Sequence, residues 1–115
     1  MTDQALHFGS YHYDQWLAAY EGLRGAAAQL LGAGKSEIAI VKNTSEGIAT
    51  VAMGLDWKPG DKMVAFQEEF AANYFPWKHW AAKGGKVAWR SIWDTADRVA
   101  QACRGARLLT ISFVQ

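Results

Sequence analysis

The chain has 115 residues, half of them apolar, and a formal net charge of +1, which is enough for one small domain with a modest core. Near-balanced charge with no clustered run of Lys and Arg excludes the footprint of a nucleic-acid binder, and no apolar run approaches the roughly 20 residues of a membrane span. The single cysteine, Cys103, cannot form an internal disulfide, and residues 1–10 hold no signal-peptide apolar segment, so the expectation is a cytoplasmic protein.

From Tyr13 onward, Trp16, Leu17, Tyr20, Leu23, Ala27, Leu30 and Leu31 keep a helical period, with Asp14, Gln15, Glu21 and Gln29 on the other face. This predicts a long amphipathic helix ended by Gly32 and Gly34. Residues 37–41 read as a first strand. Asn43 then offers an N-cap, with Glu46 three residues later as a capping-box variant, and Ile48, Val51, Ala52 and Leu55 form the apolar face of a second helix. Pro59-Gly60 marks a turn within residues 57–61. Residues 62–66 form a second strand that opens into the polar Gln67-Glu68-Glu69.

The next helix is expected to begin near Phe75, because Pro76 suits a first turn, with Trp77, Trp80 and Ala81 facing inward and Gly84-Gly85 ending it. Residues 86–92 are a third strand. Asp94 or Thr95 caps a helix with Val99, Ala102 and Cys103 on its apolar side, and Gly105 stops it. Residues 108–114 read as a fourth strand, apolar enough to be covered on both faces.

Strand and helix in alternation predict an α/β fold, a parallel sheet with helices on its faces and ligands beyond the carboxyl ends of the strands. Three segments fall there: Asn43, Thr44 and Ser45; residues 67–73; and whatever follows residue 114. A helix that starts at Asn43 leaves several backbone N–H groups unpaired, and such an end attracts an anion, phosphate above all. Because the chain reaches residue 115 as its last strand meets the rim, the expectation is the front part of a longer domain.

Four stretches carry a resemblance: Asn43-Thr44-Ser45-Glu46-Gly47-Ile48; Trp57-Lys58-Pro59-Gly60-Asp61-Lys62; Glu69-Phe70-Ala71-Ala72-Asn73-Tyr74-Phe75-Pro76-Trp77; and Leu109-Thr110-Ile111-Ser112-Phe113-Val114. In this order and spacing they resemble the class V aminotransferase and cysteine desulfurase family of pyridoxal 5′-phosphate (PLP) enzymes, fold type I. The resemblance implies that residues 1–115 form a single partial domain, the front of the PLP-binding large domain, with the rest of that domain and the small domain lying beyond. It places the cofactor's phosphate on Thr44 and Ser45, with Glu46 as a cap because its carboxylate would repel the dianion. The family's ring-stacking residue, often histidine, falls on Ala71. An alanine cannot stack, so either the neighbouring Phe70 covers the ring or this member uses its cofactor differently, and the departure favours an aminotransferase-like or other PLP activity over a standard desulfurase.

The resemblance further implies an amino-acid substrate and a homodimer for the full enzyme. The aspartate that pairs with the pyridine nitrogen and the Schiff-base lysine come later in the family, and none of the seven lysines here matches that lysine's motif. This chain is therefore expected to hold no catalytic residue. The alternatives are a non-catalytic α/β structural or interaction module or, for the full-length form, a cysteine desulfurase.

Other signals are weaker. Gly32-Ala33-Gly34-Lys35-Ser36 resembles the tail of a P-loop, but Gln29 stands where a glycine is required and the stretch closes a helix instead of opening one. Cys103 reads as a small buried hydrophobe. His7, His12 and His79 lack metal-ligand spacing, and Asp14, Glu21 and Arg24 read as a solvated helix face.

Overall fold

The computed structural model describes residues 6–113, in a first unit that ends at Ile40 and a second that begins at Val41. The first unit is built on helix α1 (Tyr13–Leu31). Gly32 ends it with φ 64°; Gly32 N–H bonds to Gln29 C=O and Ala33 N–H to Ala28 C=O, the paired bonds of a Schellman motif. A 3-10 turn (Lys35–Glu37) follows. Arg24 ties this turn back to α1, donating from Nε to Ile38 C=O at 3.0 Å and from its outer nitrogens to Lys35 C=O and Glu21 Oε1, each at 2.9 Å. Glu21 also meets Lys35 Nζ at 2.8 Å. Glu21 and Arg24 are therefore a bracket, where the sequence suggested only a solvated face.

The strand expected at residues 37–41 does not form. Its first residue closes the 3-10 turn, Ile38 spends its carbonyl on Arg24, and no described strand lies beside Ile40 or Val41. An apolar run becomes a strand only where a partner ladder takes its polar backbone groups.

The second unit holds helix α2 (Thr44–Gly54), strand β1 (Lys62–Phe66), helix α3 (Ala71–Ala82), strand β2 (Lys86–Arg90), helix α4 (Ala96–Cys103) and strand β3 (Leu108–Leu109). The three strands form a parallel sheet in the order β2-β1-β3. Met63, Val64 and Ala65 on β1 are fully buried. Successive strand residues face opposite sides, so both faces of β1 are covered, as its unbroken apolar run requires. Ala52, Met63, Ala65 and Trp77 form the core, with Trp57, Trp80 and Trp89 packed around it. Alternating βα units with a parallel sheet make this an α/β fold.

Two boundaries differ from expectation. Helix α3 starts at Ala71, not Phe75, and carries Pro76 inside it. Extended Phe70 is its N-cap, and Asn73 N–H closes the first turn on Phe70 C=O at 2.8 Å. Proline in a helix interior removes the bond to the carbonyl four residues back, here Ala72, and costs about 3 kcal/mol. The buried contacts of Asn73 and Trp77, on either side of Pro76, offset that loss.

Strand β3 is the second difference. Thr110 N–H continues the ladder to Val64 C=O at 3.0 Å, but the N–H of Ser112 turns to a side-chain carboxylate and the ladder stops. Leu109, Ile111 and Phe113 are exposed, so within the described residues this segment is not covered on both faces. Val114 lies outside them. No described helix is long and apolar enough to cross a membrane.

Candidate functional site

The start of α2 is capped as its sequence dictates. Asn43 Oδ1 accepts Glu46 N–H at 2.9 Å. Glu46 Oε2 in turn accepts Lys42 N–H at 2.6 Å, one residue before the usual reciprocal donor of a capping box. Glu46 is thereby held as a cap. The N–H groups of Thr44 and Ser45 make no hydrogen bond among the described residues, as the first N–H groups of a helix do unless a ligand or water takes them. Both residues are exposed.

Close by, a cavity of about 320 Å³ is lined by Ser45, Ala49, Ala71, Ala72, Phe75 and Pro76. Because helix α3 begins at Ala71, its first turn adds Ala71 and Ala72 to the wall that Phe75 and Pro76 also line. Of the four cofactor-site residues expected from sequence, the cavity unites Ser45 and Ala71. Thr44 adjoins it in the first turn of α2 without lining it. Phe70, 70% exposed as the N-cap of α3, does not line it either.

The lining fits the group that the resemblance implies. Free N–H groups at a helix start suit a phosphate, Ser45 adds a hydroxyl, and a wall of small apolar side chains accepts the edge or face of a flat ring. At position 71 the wall offers a methyl and no ring to stack.

Sequence reasoning missed the pair of carboxylates that follows β1. Glu68 accepts Ser91 Oγ–H at 2.8 Å and Ile92 N–H at 3.2 Å, just past β2. The hydroxyl of Ser91, followed by the N–H of Ile92, holds the Glu68 carboxyl below the usual carboxylate range. Glu69, buried at 8% exposure, accepts Ser112 N–H at 2.6 Å and Ser112 Oγ–H at 2.5 Å, just past β3. The loop after the central strand thus grips the exits of both neighbours. A signal was present: two adjacent acids after a buried central strand, and a serine shortly after each flanking strand.

A protein-family model for class-V aminotransferases matches residues 4–104. The chain belongs to the class-V aminotransferase family. A probable cysteine desulfurase of Pyrococcus abyssi is 39% identical over 95% of this chain and 29% of its own length. A cysteine desulfurase of Haloferax volcanii is 36% identical over 70% of this chain and 20% of its own, and an aminotransferase-like protein, FGM3, of Gibberella zeae is 30% identical over 72% and 20%. The chain thus spans less than a third of the length of these curated relatives. No solved structure matches it significantly. The family is PLP-dependent in general.

Proposed function

We propose that this chain is the front part, a single partial domain, of the cofactor-binding domain of a cytoplasmic, homodimeric PLP enzyme that acts on an amino-acid substrate. Thr44 and Ser45 hold the cofactor's phosphate through their backbone N–H and hydroxyl groups, and Ala71 and Ala72 form a wall for its ring. When bound, the cofactor supplies electron withdrawal from the substrate's α-carbon. The chain's own residues bind and orient it. The observation that carries this reading is the meeting of Ser45 and Ala71, from different helices, in one cavity whose phosphate end is a free helix start. The methyl at position 71 favours an aminotransferase-like activity over the desulfurase activity named for several relatives.

Titrating the 115-residue chain with pyridoxamine 5′-phosphate, which cannot condense with stray lysines, tests the reading. The wild type is expected to bind it and inorganic phosphate. The Thr44→Ala/Ser45→Ala variant loses about tenfold or more in affinity for each, since a hydrogen bond to a charged group contributes about 1.5–3 kcal/mol. Equal affinity in wild type and variant refutes the phosphate seat and leaves the non-catalytic module as the better description.

A further inference from the structure

We propose that Glu69 is a positioning residue for the cavity wall at Ala71 and Ala72, an inference that rests on the reading of that cavity as the seat of the cofactor ring. A carboxylate at 8% exposure needs strong compensation. Among the described residues no ion pair includes Glu69; its two oxygens are met only by the N–H and the hydroxyl of Ser112, at 2.6 and 2.5 Å. A buried charge satisfied by neutral donors is a poor source of stability compared with an apolar pair. What it does supply is geometry: two short, charge-assisted bonds to one residue fix that residue's position and orientation.

Four residues along, Asn73 does the same for the other side. It is 5% exposed, and its Oδ1 accepts Thr110 Oγ–H at 2.5 Å and Trp77 Nε1–H at 3.1 Å. Glu69 and Asn73 therefore bracket Ala71 and Ala72, and each grips the segment leaving β3, at Ser112 and Thr110. The wall of the cavity is locked to the carboxyl end of the sheet by two buried acceptors. Ser45, on α2, has no share in this network. The ring wall and the phosphate seat are thus held by separate means, and disturbing Glu69 moves one without the other.

Glu69→Gln keeps the shape and one acceptor but turns an N–H toward Ser112, whose own two donors then compete for a single oxygen. In the 115-residue chain this change is expected to weaken binding of pyridoxamine 5′-phosphate severalfold, because the ring wall is no longer held in place, and to leave inorganic phosphate affinity unchanged. The Ser112 amide proton, far downfield in the wild type because it faces a carboxylate, moves upfield in the variant, a check that needs no ligand. Thr110→Val, which removes the partner of Asn73 alone, is expected to produce the same split between the two ligands. An equal loss of both ligands marks general damage and overturns the proposal. So does unchanged pyridoxamine 5′-phosphate affinity when the Ser112 signal has shifted. If wild type binds neither ligand, the reading of the cavity itself fails, and the inference with it; if wild type binds both and Glu69→Gln matches it, only the inference fails.

Discussion

Gly85, just past α3, sits against the side chain of Trp80, and replacing it by alanine tests how tightly the second unit is packed. A Cβ built at this position would lie 2.3 Å from Trp80 Cδ2 and Cε3 and 2.6 Å from Cε2, about 1 Å short of ordinary contact. The backbone of Gly85 lies outside the left-handed region, so the cost is wholly steric. Trp80 has little room to yield. Its ring packs on Trp57 with centroids 4.2 Å apart, Trp57 Nε1 donates to Ala52 C=O at 2.8 Å, and Gly85 N–H is itself bonded to Trp80 C=O at 3.1 Å. Shifting the Trp80 ring therefore disturbs the turn at Trp57 and the end of α2.

Overpacking of this kind costs about 1–3 kcal/mol, and the weakened indole pair adds roughly 0.5–1 kcal/mol. The reduced freedom of the unfolded chain returns about 0.4–1 kcal/mol. The expected net loss is about 1–3 kcal/mol. Urea unfolding followed by far-ultraviolet circular dichroism should show it as a midpoint lowered by about 1 M, given slopes near 1–3 kcal/mol/M for small proteins. In a Trp80→Leu background the same Gly85→Ala change should cost at least about 1 kcal/mol less, because the clash has gone. A Gly85→Ala chain as stable as wild type would refute the packing argument.

Gly54→Ala, in the last turn of α2 with nothing within 4 Å of the new Cβ, should instead raise stability by about 0.5–1 kcal/mol in the same assay. Ala71→His restores a ring where the family often has one; stacking worth about 0.5–1.5 kcal/mol predicts two- to tenfold tighter pyridoxamine 5′-phosphate binding by fluorescence titration, and unchanged binding places the ring elsewhere. Trp77→Ala empties the centre of the core and should cost about 3–5 kcal/mol, read from the urea midpoint. Acid should also destabilise the fold. Glu68, held low by Ser91 and Ile92, and Glu21, held low first by Lys35 and then by Arg24, have folded-state pKa values below their unfolded ones. Their contribution is present above the ordinary carboxylate range and is lost as pH falls through the depressed values, so the urea midpoint should drop as pH is lowered through and below the ordinary carboxylate range. Glu68→Gln should flatten that drop.

Much of the second unit could be read in the sequence because local and global signals agree there. The run Met63-Val64-Ala65-Phe66 is a strand by composition and is buried on both faces in the fold; Asn43 and Thr95 are caps by residue type and cap α2 and α4 by hydrogen bond. The misreadings arise where a distant partner decides. Residues 37–41 have strand character but find no ladder, and Arg24 takes the carbonyl of Ile38. Pro76 is a first-turn residue by rule, yet tertiary contacts of Asn73 and Trp77 carry α3 back to Ala71. In the site, the helix start at Thr44 and Ser45 was legible from a cap and a period. The grip of Glu69 on Ser112 was not, since it joins residues 43 apart in sequence.

That separation bears on the order in which the protein assembles. β1 pairs with β2 across the short α3 crossover, Lys62 opposite Lys86, whereas β3 arrives only after α4, Met63 opposite Leu108. Closing the longer loop costs more entropy, though only by about 0.6 kcal/mol per doubling of length, and β3 contributes just two ladder residues against five in β2. The β1-α3-β2 unit is therefore the part able to form first, and the Glu69 bond, which needs β3 in place, closes last. In native-state hydrogen exchange, the amide of Ser112 should open at a lower free energy than those of Val64 and Ala65. The rim of the sheet is then the last region ordered on folding and the first released when the fold loosens.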